Sequence, residues 1–481
     1  MGNPDHDRQV LNAILRKDLK SFMRRSFASL LPNDTFHDSW HIDAIAYHLE
    51  LCRLGKVKRL IITVPPRSGK SIMASVVFPA FVLGHDPTRR IICASYAQDL
   101  SLEFSRSCRN LMREPWYHDV FPRTRIDSSK SGSVEFKTTW RGYRFATSVG
   151  GTITGRGGNF IIIDDPLKPS DAPSKTVRTK TNEWFDNTVY SRLDNKAEDV
   201  IIIVTQRTHI DDLVGHLNAK GEEWTHLNLP AIAEKDERIP TGPGEFHYRK
   251  TGDVLHPQRE PREVLDRIRN FYGSTIFNAQ YQQDPVPEGG LIVQRKWFQT
   301  YDDIPQRGPD VQVIQSWDTA QKVGELNDYS VCVTAYRKKN LFYIVEVYRE
   351  RLDYPSLKKQ AAIQYEIWRP DRVIIEDKGS GIALCDELPR EHMIHPIRFV
   401  PQGDKAMRLI NQSGKIEAGQ VLLPSFKTDW KDDFVDEIIS FPEGRHDDQV
   451  DALTQLLQYI SQSEQHVWTS GPLWSIFGHY N

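Results

Sequence analysis

The chain has 481 residues, 39% hydrophobic and 26% charged, which is the composition of a soluble globular protein with two or three domains. Its 62 basic and 64 acidic side chains give a formal net charge of −2, which excludes a globally basic nucleic-acid binder but permits a local basic groove. No apolar run approaches the ~20 residues that span a bilayer, so we expect no membrane segment, and the five scattered cysteines favour a reduced, cytoplasmic setting.

The first half of the chain alternates apolar strands with helical stretches. The spacing of apolar residues predicts helices at its start, over residues 9–31 and 41–54. Strands are then predicted at 59–64, 90–95, 159–165 and 199–206. Continuous Ile/Val runs are typical of a parallel sheet that is covered on both faces. Residues 1–235 are therefore predicted to form a doubly wound α/β domain with a helical N-terminal region.

The stretch IITVPPRSGKS, which follows the first strand, resembles a phosphate-binding loop without its first glycine. Gly69, Lys70 and Ser71 match the end of the pattern, but Val64 stands at the first glycine position. A strand, a tight loop and a helix start aim backbone N–H groups at phosphate. A chance Gly-Lys-Ser in a surface loop is the alternative.

In a phosphate-binding loop each of these residues has a role. The backbone of Ser68 and Gly69 would cradle the phosphates, Lys70 would reach the β- and γ-phosphates of ATP, and Ser71 would hold Mg²⁺. Arg67 would add a second cation that stabilises charge in the transition state. The loop therefore predicts an ATP site.

Two further strands end in polar residues at the edge where such sheets bind ligands. FIIIDDP places Asp164 as the Mg²⁺-holding carboxylate and Asp165 where a carboxylate polarises the attacking water, although Asp165 could instead cap the following turn. IIIVTQR ends in Thr205 and Gln206, which could sense the γ-phosphate or simply terminate a strand. The glycine-rich loop SVGGTITGRGGNF carries Arg156, a contact residue for DNA or a neighbouring subunit, or a surface residue.

The second half of the chain begins with a different order of elements. Residues 236–310, rich in Pro, Gly and charge, are predicted to be a connecting region with one helix near 261–280. Three strands, a helix and a fourth strand follow, at 311–318, 329–337, 341–350, 355–368 and 372–377. This β-β-β-α-β order is that of a ribonuclease H-like fold, predicted to occupy residues 311–465.

Five carboxylates in this half are spaced as metal ligands. Asp318 ends the first strand and Glu376 the fourth, which are neighbours in this fold, and Asp447, Asp448 and Asp451 begin a helical pattern. We take Asp318, Glu376 and Asp448 as catalytic. Which of the three helix carboxylates bind metal directly stays open. Oxygen ligands favour two Mg²⁺ or Mn²⁺ ions that cleave a phosphodiester, although acidic residues at a helix start are also common caps.

Several pieces together resemble one family. The runs FHDSWHIDAIAYHLE, VPPRSGKS, ASYAQDLS, GGTITGRGGNFIIIDDP, VTQRTHIDDLVG, FNAQYQQDPVPEGG, SWDTA, IIEDKGSG and HDDQVDA are similar, in order, to the tailed-bacteriophage terminase large subunit. The resemblance implies that Trp40 and His41 lie on the adenine side. It also implies that Arg67 or Arg156 is an arginine finger. Thr205 and Gln206 would form the coupling motif.

The resemblance also implies a function and partners. An ATPase would drive double-stranded DNA into a procapsid, and an attached nuclease would cut concatemeric DNA in the cytoplasm of the infected bacterial host. A small terminase subunit, a portal protein and a pentameric assembly would be its partners. The aromatic tail, residues 466–481, would dock on the portal or procapsid or pack on the chain itself. The alternatives are a DNA-repair helicase-nuclease and a catalytically silent prophage remnant that only binds DNA or assembly partners.

Overall fold

A computed structural model describes residues 4–33, 36–151, 153, 155–285, 292–319, 329–401, 403–442, 444 and 446–468, with side chains described as far as 461. The chain divides into two compact units. The first contains Met1–Asp266 and Ile276–Glu288, and the second contains Arg267–Thr275 and Gly289–Asn481. Among the described helices, none combines the length and apolar character that a bilayer crossing requires. All five cysteines are buried thiols without a disulfide.

The first unit begins with helices and then alternates strands and helices. Its elements are α1 Pro4–Lys17, α2 Leu19–Leu30, α3 Trp40–Arg53, β1 Arg59–Thr63, α4 Phe78–His85, β2 Arg90–Ser95, α5 Gln98–Leu111, α6 Pro115–Val120, β3 Ile126–Ser131, β4 Glu135–Thr138, β5 Tyr143–Ser148, β6 Phe160–Asp164, α7 Lys175–Trp184, β7 Val200–Thr205, α8 Leu213–Lys220, β8 Thr225–Asn228, β9 Glu237–Gly242 and β10 Glu245–Arg249. Helix α9, Arg262–Gln280, crosses the boundary between the units. Short π-helical and 3₁₀ segments lie at Ile72–Val77, Pro169–Asp171, Phe185–Val189 and Tyr190–Arg192.

An eight-stranded sheet organises the first unit, in the order β3-β4-β5-β2-β6-β7-β1-β8. All its pairs are parallel except β3–β4 and β4–β5. Alternate residues of β6 and β7 join two separate hydrophobic clusters, one on each face. The predicted doubly wound sheet is therefore confirmed. It places the carboxyl ends of β6, β7 and β1 side by side.

The first unit differs from the sequence prediction at three places. The pattern over 9–31 covers two helices, because Asp18 ends α1 and caps α2 by accepting from the Ser21 N–H (2.9 Å). Strands β3, β4, β5 and β8 were not predicted; β3, for example, is polar and lacks the alternation of a half-buried strand. Within 236–310, predicted to be a connecting region, β9 and β10 form a hairpin of the first unit, while residues 289–310 belong to the second.

The second unit is built on a seven-stranded sheet in the order β11-β17-β14-β13-β12-β15-β16. Its elements are β11 Gln299–Tyr301, β12 Val311–Asp318, β13 Ser330–Lys338, β14 Leu341–Glu350, α10 Tyr354–Trp368, β15 Arg372–Glu376, α11 Ser380–Glu391, β16 Ile397–Phe399, α12 Lys405–Glu417, β17 Val421–Pro424, α13 Lys431–Ser440 and α14 Asp448–Trp468, with a 3₁₀ turn at Arg295–Trp297. Helices α12, α13 and α14 contribute to one hydrophobic cluster and α10 and α11 to another. The antiparallel meander β12–β14 and the parallel pairing of β12 with β15 confirm the ribonuclease H-like prediction.

A close backbone contact holds the middle of α9, residues Arg267–Thr275, in the second unit. Gly273 interrupts the helix with φ 82°, a conformation that favours glycine. Its backbone faces Gly414 of α12 so closely that a Cβ on Gly414 would lie 2.5 Å from the Gly273 nitrogen. The N–H of Ser274 donates to the Glu417 carboxylate (2.8 Å). Both glycines are therefore needed for the kink to pack.

Candidate functional site

The loop between β1 and the next helix takes the strained shape of a phosphate-binding loop without the first glycine. Val64 is fully buried and extends the strand, since its N–H donates to the Thr205 carbonyl (3.1 Å). The left-handed positions lie later, at Arg67 (φ 63°) and Gly69 (φ 78°). The turn that the usual first glycine allows is thus made at Arg67, and strain of this kind is typical of functional sites.

Four side chains predicted from the sequence meet behind this loop. Asp164, 1% exposed at the end of β6, accepts from the Ser71 hydroxyl through Oδ1 (2.9 Å). The Lys70 ammonium lies 3.1 Å from Oδ2 of Asp165. Burial, reinforced by the Asp165 charge, raises the pKa of Asp164 to about 7. A hydroxyl and carboxylates around an ammonium are the donor set that a Mg²⁺-bound triphosphate requires, so these residues fit the predicted group.

Asp165 connects the loop to the neighbouring strand and does not simply cap a turn. It has φ 43°, and its Oδ1 accepts from the Gln206 N–H at the end of β7 (3.1 Å). Thr205 donates its hydroxyl to the Gln206 carbonyl (2.8 Å). The Gln206 Oε1 is buried and has no hydrogen-bond partner among the described residues. Asp165 thus links the Lys70 side chain to the backbone that follows β7.

The second cluster of carboxylates lies at the carboxyl ends of β12 and β15. These strands pair in parallel with Trp317 opposite Ile375, so the next residues, Asp318 and Glu376, are adjacent. Asp318 is 8% exposed. Burial, the Asp451 charge and a hydrogen bond with Glu376 raise its pKa well above the usual range. One cavity is lined by these side chains together with Asp447, Asp448 and Asp451.

Two basic side chains, not predicted from the sequence, form ion pairs with two carboxylates of this cluster. The Lys405 ammonium lies 2.8 Å from Oδ1 of Asp447 and 2.7 Å from Oδ2 of Asp451. Arg408, one turn later on α12, donates to the other oxygen of Asp451. Their only sequence signal is a pair of cations spaced i,i+3 at the start of an amphipathic helix, which is a common surface pattern.

Comparison with protein families identifies the family to which the chain belongs. Residues 61–300 match the family model described as terminase large subunit, T4likevirus-type, N-terminal, and residues 315–459 match the terminase RNaseH-like domain. The chain belongs to the phage terminase large-subunit family. It is therefore a subunit of a viral genome-packaging motor, and neither the helicase-nuclease nor the silent remnant gains support.

Solved structures of another terminase share the fold. The large terminase of a thermophilic bacteriophage is 13% identical in one crystal form, covering 89% of this chain and 100% of that chain with a TM-score of 0.54. A second crystal form of the same protein is 12% identical and covers 89% of this chain and 100% of that chain, with a TM-score of 0.55. The structure of its complex with ADP is 12% identical and covers 88% of this chain and 98% of that chain, with a TM-score of 0.50. Comparison with curated protein sequences found no match.

Of Trp40 and His41, the residues of this terminase predicted on the adenine side, His41 lies beside the loop. The His41 Nε2 is 3.3 Å from the Ser68 carbonyl oxygen. Burial, then the neighbouring His256, lowers the pKa of His41 to about 4, so the ring is neutral at pH 7. Trp40 stacks on His247 with centroids 4.2 Å apart. His247 and His256 lie within the predicted connecting region, which is why the sequence did not single them out.

The two candidate arginine fingers have different surroundings. Arg67 is exposed within the loop, and its carbonyl accepts from Arg259. Arg156 forms an ion pair with Glu135 and lies over the Phe145 ring, 4.4 Å from its centroid. The ion pair gives Arg156 a structural role in this conformation. The arginine at the phosphate loop is Arg67.

The carboxylates of the second cluster differ in orientation. Asp377 pairs with Arg398 (3.0 Å), which leaves Glu376 as the partner of Asp318, as the strand alternation predicts. Asp448 lies 3.8 Å from Arg349, and burial together with the Glu437 charge raises its pKa to about 6.

These carboxylates fit a hard divalent cation by the chemistry of their donors, because they offer only oxygens and their ionised form needs a neighbouring positive charge. As arranged here, the described residues include no group of three or more His, Cys, Asp or Glu side chains already disposed to hold a metal. Lys405 and Arg408 supply the positive charge in this conformation.

Proposed function

We propose that the first unit of this terminase hydrolyses ATP with Mg²⁺. The observation that carries this proposal is the meeting of Lys70, Ser71, Asp164 and Asp165 at one edge of the sheet. Lys70 would bind the β- and γ-phosphates, Ser71 and Asp164 would hold the metal, and Asp165 would orient the attacking water. The backbone of Ser68 and Gly69 would cradle the phosphates.

Residues around the loop would bind the base, stabilise transition-state charge and transmit the reaction. Trp40 and His41 would lie on the adenine side, where the neutral His41 contacts the loop backbone. Arg67 would act as the arginine finger, because it is exposed in the loop itself. Thr205 and Gln206 would couple hydrolysis to movement through the contact between Gln206 and Asp165.

We propose that the second unit cuts double-stranded DNA with Mg²⁺ or Mn²⁺. Asp318 and Glu376 on adjacent strands would bind metal together with side chains from Asp447, Asp448 and Asp451. The metals would activate water and stabilise the leaving oxygen of the phosphodiester. Domain boundaries at 235, 310 and 465 would separate the ATPase, connecting, nuclease and tail regions, with β9 and β10 added to the ATPase.

The proposed partners are double-stranded DNA, a small terminase subunit, a portal protein on the procapsid and four further copies of the chain, in the cytoplasm of the infected bacterial host. The predicted aromatic tail, residues 466–481, lies beyond the described side chains. Its deletion should abolish packaging while ATP turnover and DNA cutting continue. Unchanged packaging would reject docking by the tail.

Reciprocal variants test the two activities. Lys70→Ala should abolish ATP turnover and leave metal-dependent plasmid cutting intact, and Asp318→Ala should do the reverse. Lys58→Ala, which removes a surface partner of Glu198, and Asp310→Ala, which removes a surface partner of Lys338, are matched controls. Turnover by Lys70→Ala would refute the ATPase assignment. Plasmid cutting by Asp318→Ala would remove Asp318 from the site.

A further inference from the structure

The helix that follows the phosphate loop is widened over one segment. Residues Ile72–Val77 are π-helical, and the Phe78 N–H accordingly reaches back to the Met73 carbonyl. Such segments are rare and frequent at functional sites. This one begins directly after Ser71 and is buried from Met73 onward.

Proline supplies the physical reason for the widening. In an ordinary α-helix the Ser75 carbonyl would accept from the N–H of residue 79, but Pro79 has no N–H and its ring clashes with that carbonyl. The carbonyl instead accepts from Nη2 of Arg144 (2.9 Å). Arg144 is fully buried on β5, and its Nε and Nη1 have no hydrogen-bond partner within the described chain. The bond to Ser75 is thus the hydrogen bond that compensates this guanidinium.

The widened segment presents a second hydroxyl to Asp164. Ser75 is 1% exposed, and its hydroxyl donates to Oδ2 of Asp164 (2.8 Å), while Ser71 donates to Oδ1 (2.9 Å). Each carboxylate oxygen therefore has its own hydroxyl donor. If Ser71 turned to a metal ion, Ser75 would be the hydroxyl that stays on the carboxylate.

We propose that Ser75 is a positioning residue for the ATPase site: it holds Oδ2 of Asp164 so that Oδ1 faces Ser71 and the Mg²⁺ position. Pro79 and Arg144 set the widening that aims Ser75. This inference rests on the proposed ATP hydrolysis. Ser75 does not touch the nucleotide, so its effect should be confined to the steps that need Mg²⁺.

Ser75→Ala separates this role from general damage. A hydrogen bond to a charged group is worth about tenfold or more in an equilibrium. We expect binding of a fluorescent ATP analogue in EDTA to stay within about twofold of wild type. The gain in affinity on adding Mg²⁺, and kcat, should each fall about tenfold. Ser75→Thr, which keeps the hydroxyl, should restore both. Ser101→Ala, which removes a buried hydroxyl bonded to the Cys93 carbonyl, is the control.

Pro79→Ala provides a second test, in which no polar side chain is substituted. Restoring the N–H at residue 79 should let the helix close normally and turn Ser75 away, so the Mg²⁺-dependent gain should fall about tenfold while binding in EDTA stays within about twofold of wild type. The inference is overturned if Ser75→Ala behaves like Ser101→Ala, or if it loses affinity equally with and without Mg²⁺. Absence of ATP turnover in the wild type would instead refute the proposed function.

Discussion

Replacing Lys405 by Met should lower the free energy of unfolding of the metal-free protein and raise its affinity for divalent metal. The Lys405 ammonium bridges Asp447 and Asp451 at 2.8 and 2.7 Å, in the cavity that also holds Asp318. Met has a similar length and no charge, so the substitution removes the cation with little change in volume. The carboxylates then lose the ammonium that neutralises them.

The expected loss of unfolding free energy can be estimated from how exposed the paired side chains are. Breaking a fully buried ion pair costs about 3–5 kcal/mol, and an exposed pair is worth about 0–1 kcal/mol. The Lys405 side chain is 38% exposed, Asp451 is 7% exposed, and Arg408 still pairs with Asp451. We therefore expect the free energy of unfolding in EDTA to fall by about 1–2 kcal/mol. Because the metal no longer competes with an ammonium, Mn²⁺ affinity should rise about tenfold.

Thermal unfolding in EDTA and in Mn²⁺, with calorimetric Mn²⁺ titration, measures both effects. Lys358→Met is the matched control, since Lys358 also pairs with two carboxylates, Glu387 and Glu391, at 2.7 and 2.8 Å, but on α10 and α11. Its loss of stability should not be restored by Mn²⁺. Unchanged or weaker Mn²⁺ binding by Lys405→Met would refute the view that the ammonium occupies a cation position.

Three further predictions concern pH, packing and a buried ion pair. Burial raises the pKa of Asp164 to about 7, so ionising it between pH 4 and pH 7 costs up to about 4 kcal/mol of unfolding free energy. Metal-free wild type, but not Asp164→Asn, should lose thermal stability as the pH rises across that range, and parallel pH profiles would contradict this. Gly414→Ala places a Cβ 2.5 Å from a facing backbone nitrogen and should destabilise the second unit by about 2–3 kcal/mol, whereas Gly308→Ala should be nearly neutral; equal denaturant midpoints would refute the close contact. Arg207→Met removes the cation bonded to both oxygens of Asp212 (3.0 and 2.9 Å) and should cost about 3 kcal/mol, most of it recovered by adding Asp212→Asn; an additive double-mutant cycle would reject the pairing.

The central strands and the fourth-strand pairing could be predicted because their signals are local. The Ile/Val runs of β6 and β7 mark strands buried on both faces. The meander order then places Asp318 beside Glu376 without any knowledge of side-chain contacts. The roles of Lys70, Ser71, Asp164 and Asp165 stay predictions, although the structure brings these four side chains together.

The residues that support the sites could not be predicted, because their partners are distant in sequence. Arg144 is 69 positions from Ser75, and Arg408 is 43 from Asp451. Contacts between residues so far apart along the chain produce no periodic pattern in the sequence. Pro79 did carry a local signal, because a proline four residues after Ser75 removes that carbonyl's helical donor. The consequence for Asp164 appears only once β5 and β6 are placed in the sheet.

The two sites stabilise buried carboxylates in different ways. Both set carboxylates at the carboxyl ends of buried strands, where an isolated charge is costly. At Asp164 the Lys70 charge helps to stabilise the carboxylate, but the direct hydrogen-bond donors are two neutral hydroxyls. One of these hydroxyls, that of Ser71, is itself a suitable metal ligand. At Asp451 the compensation comes from an ammonium and a guanidinium, which cannot bind a metal and must move before one enters. If the metals proposed above bind at the second site, their binding would therefore include an exchange of cations in which Lys405 and Arg408 give up contacts with Asp447 and Asp451.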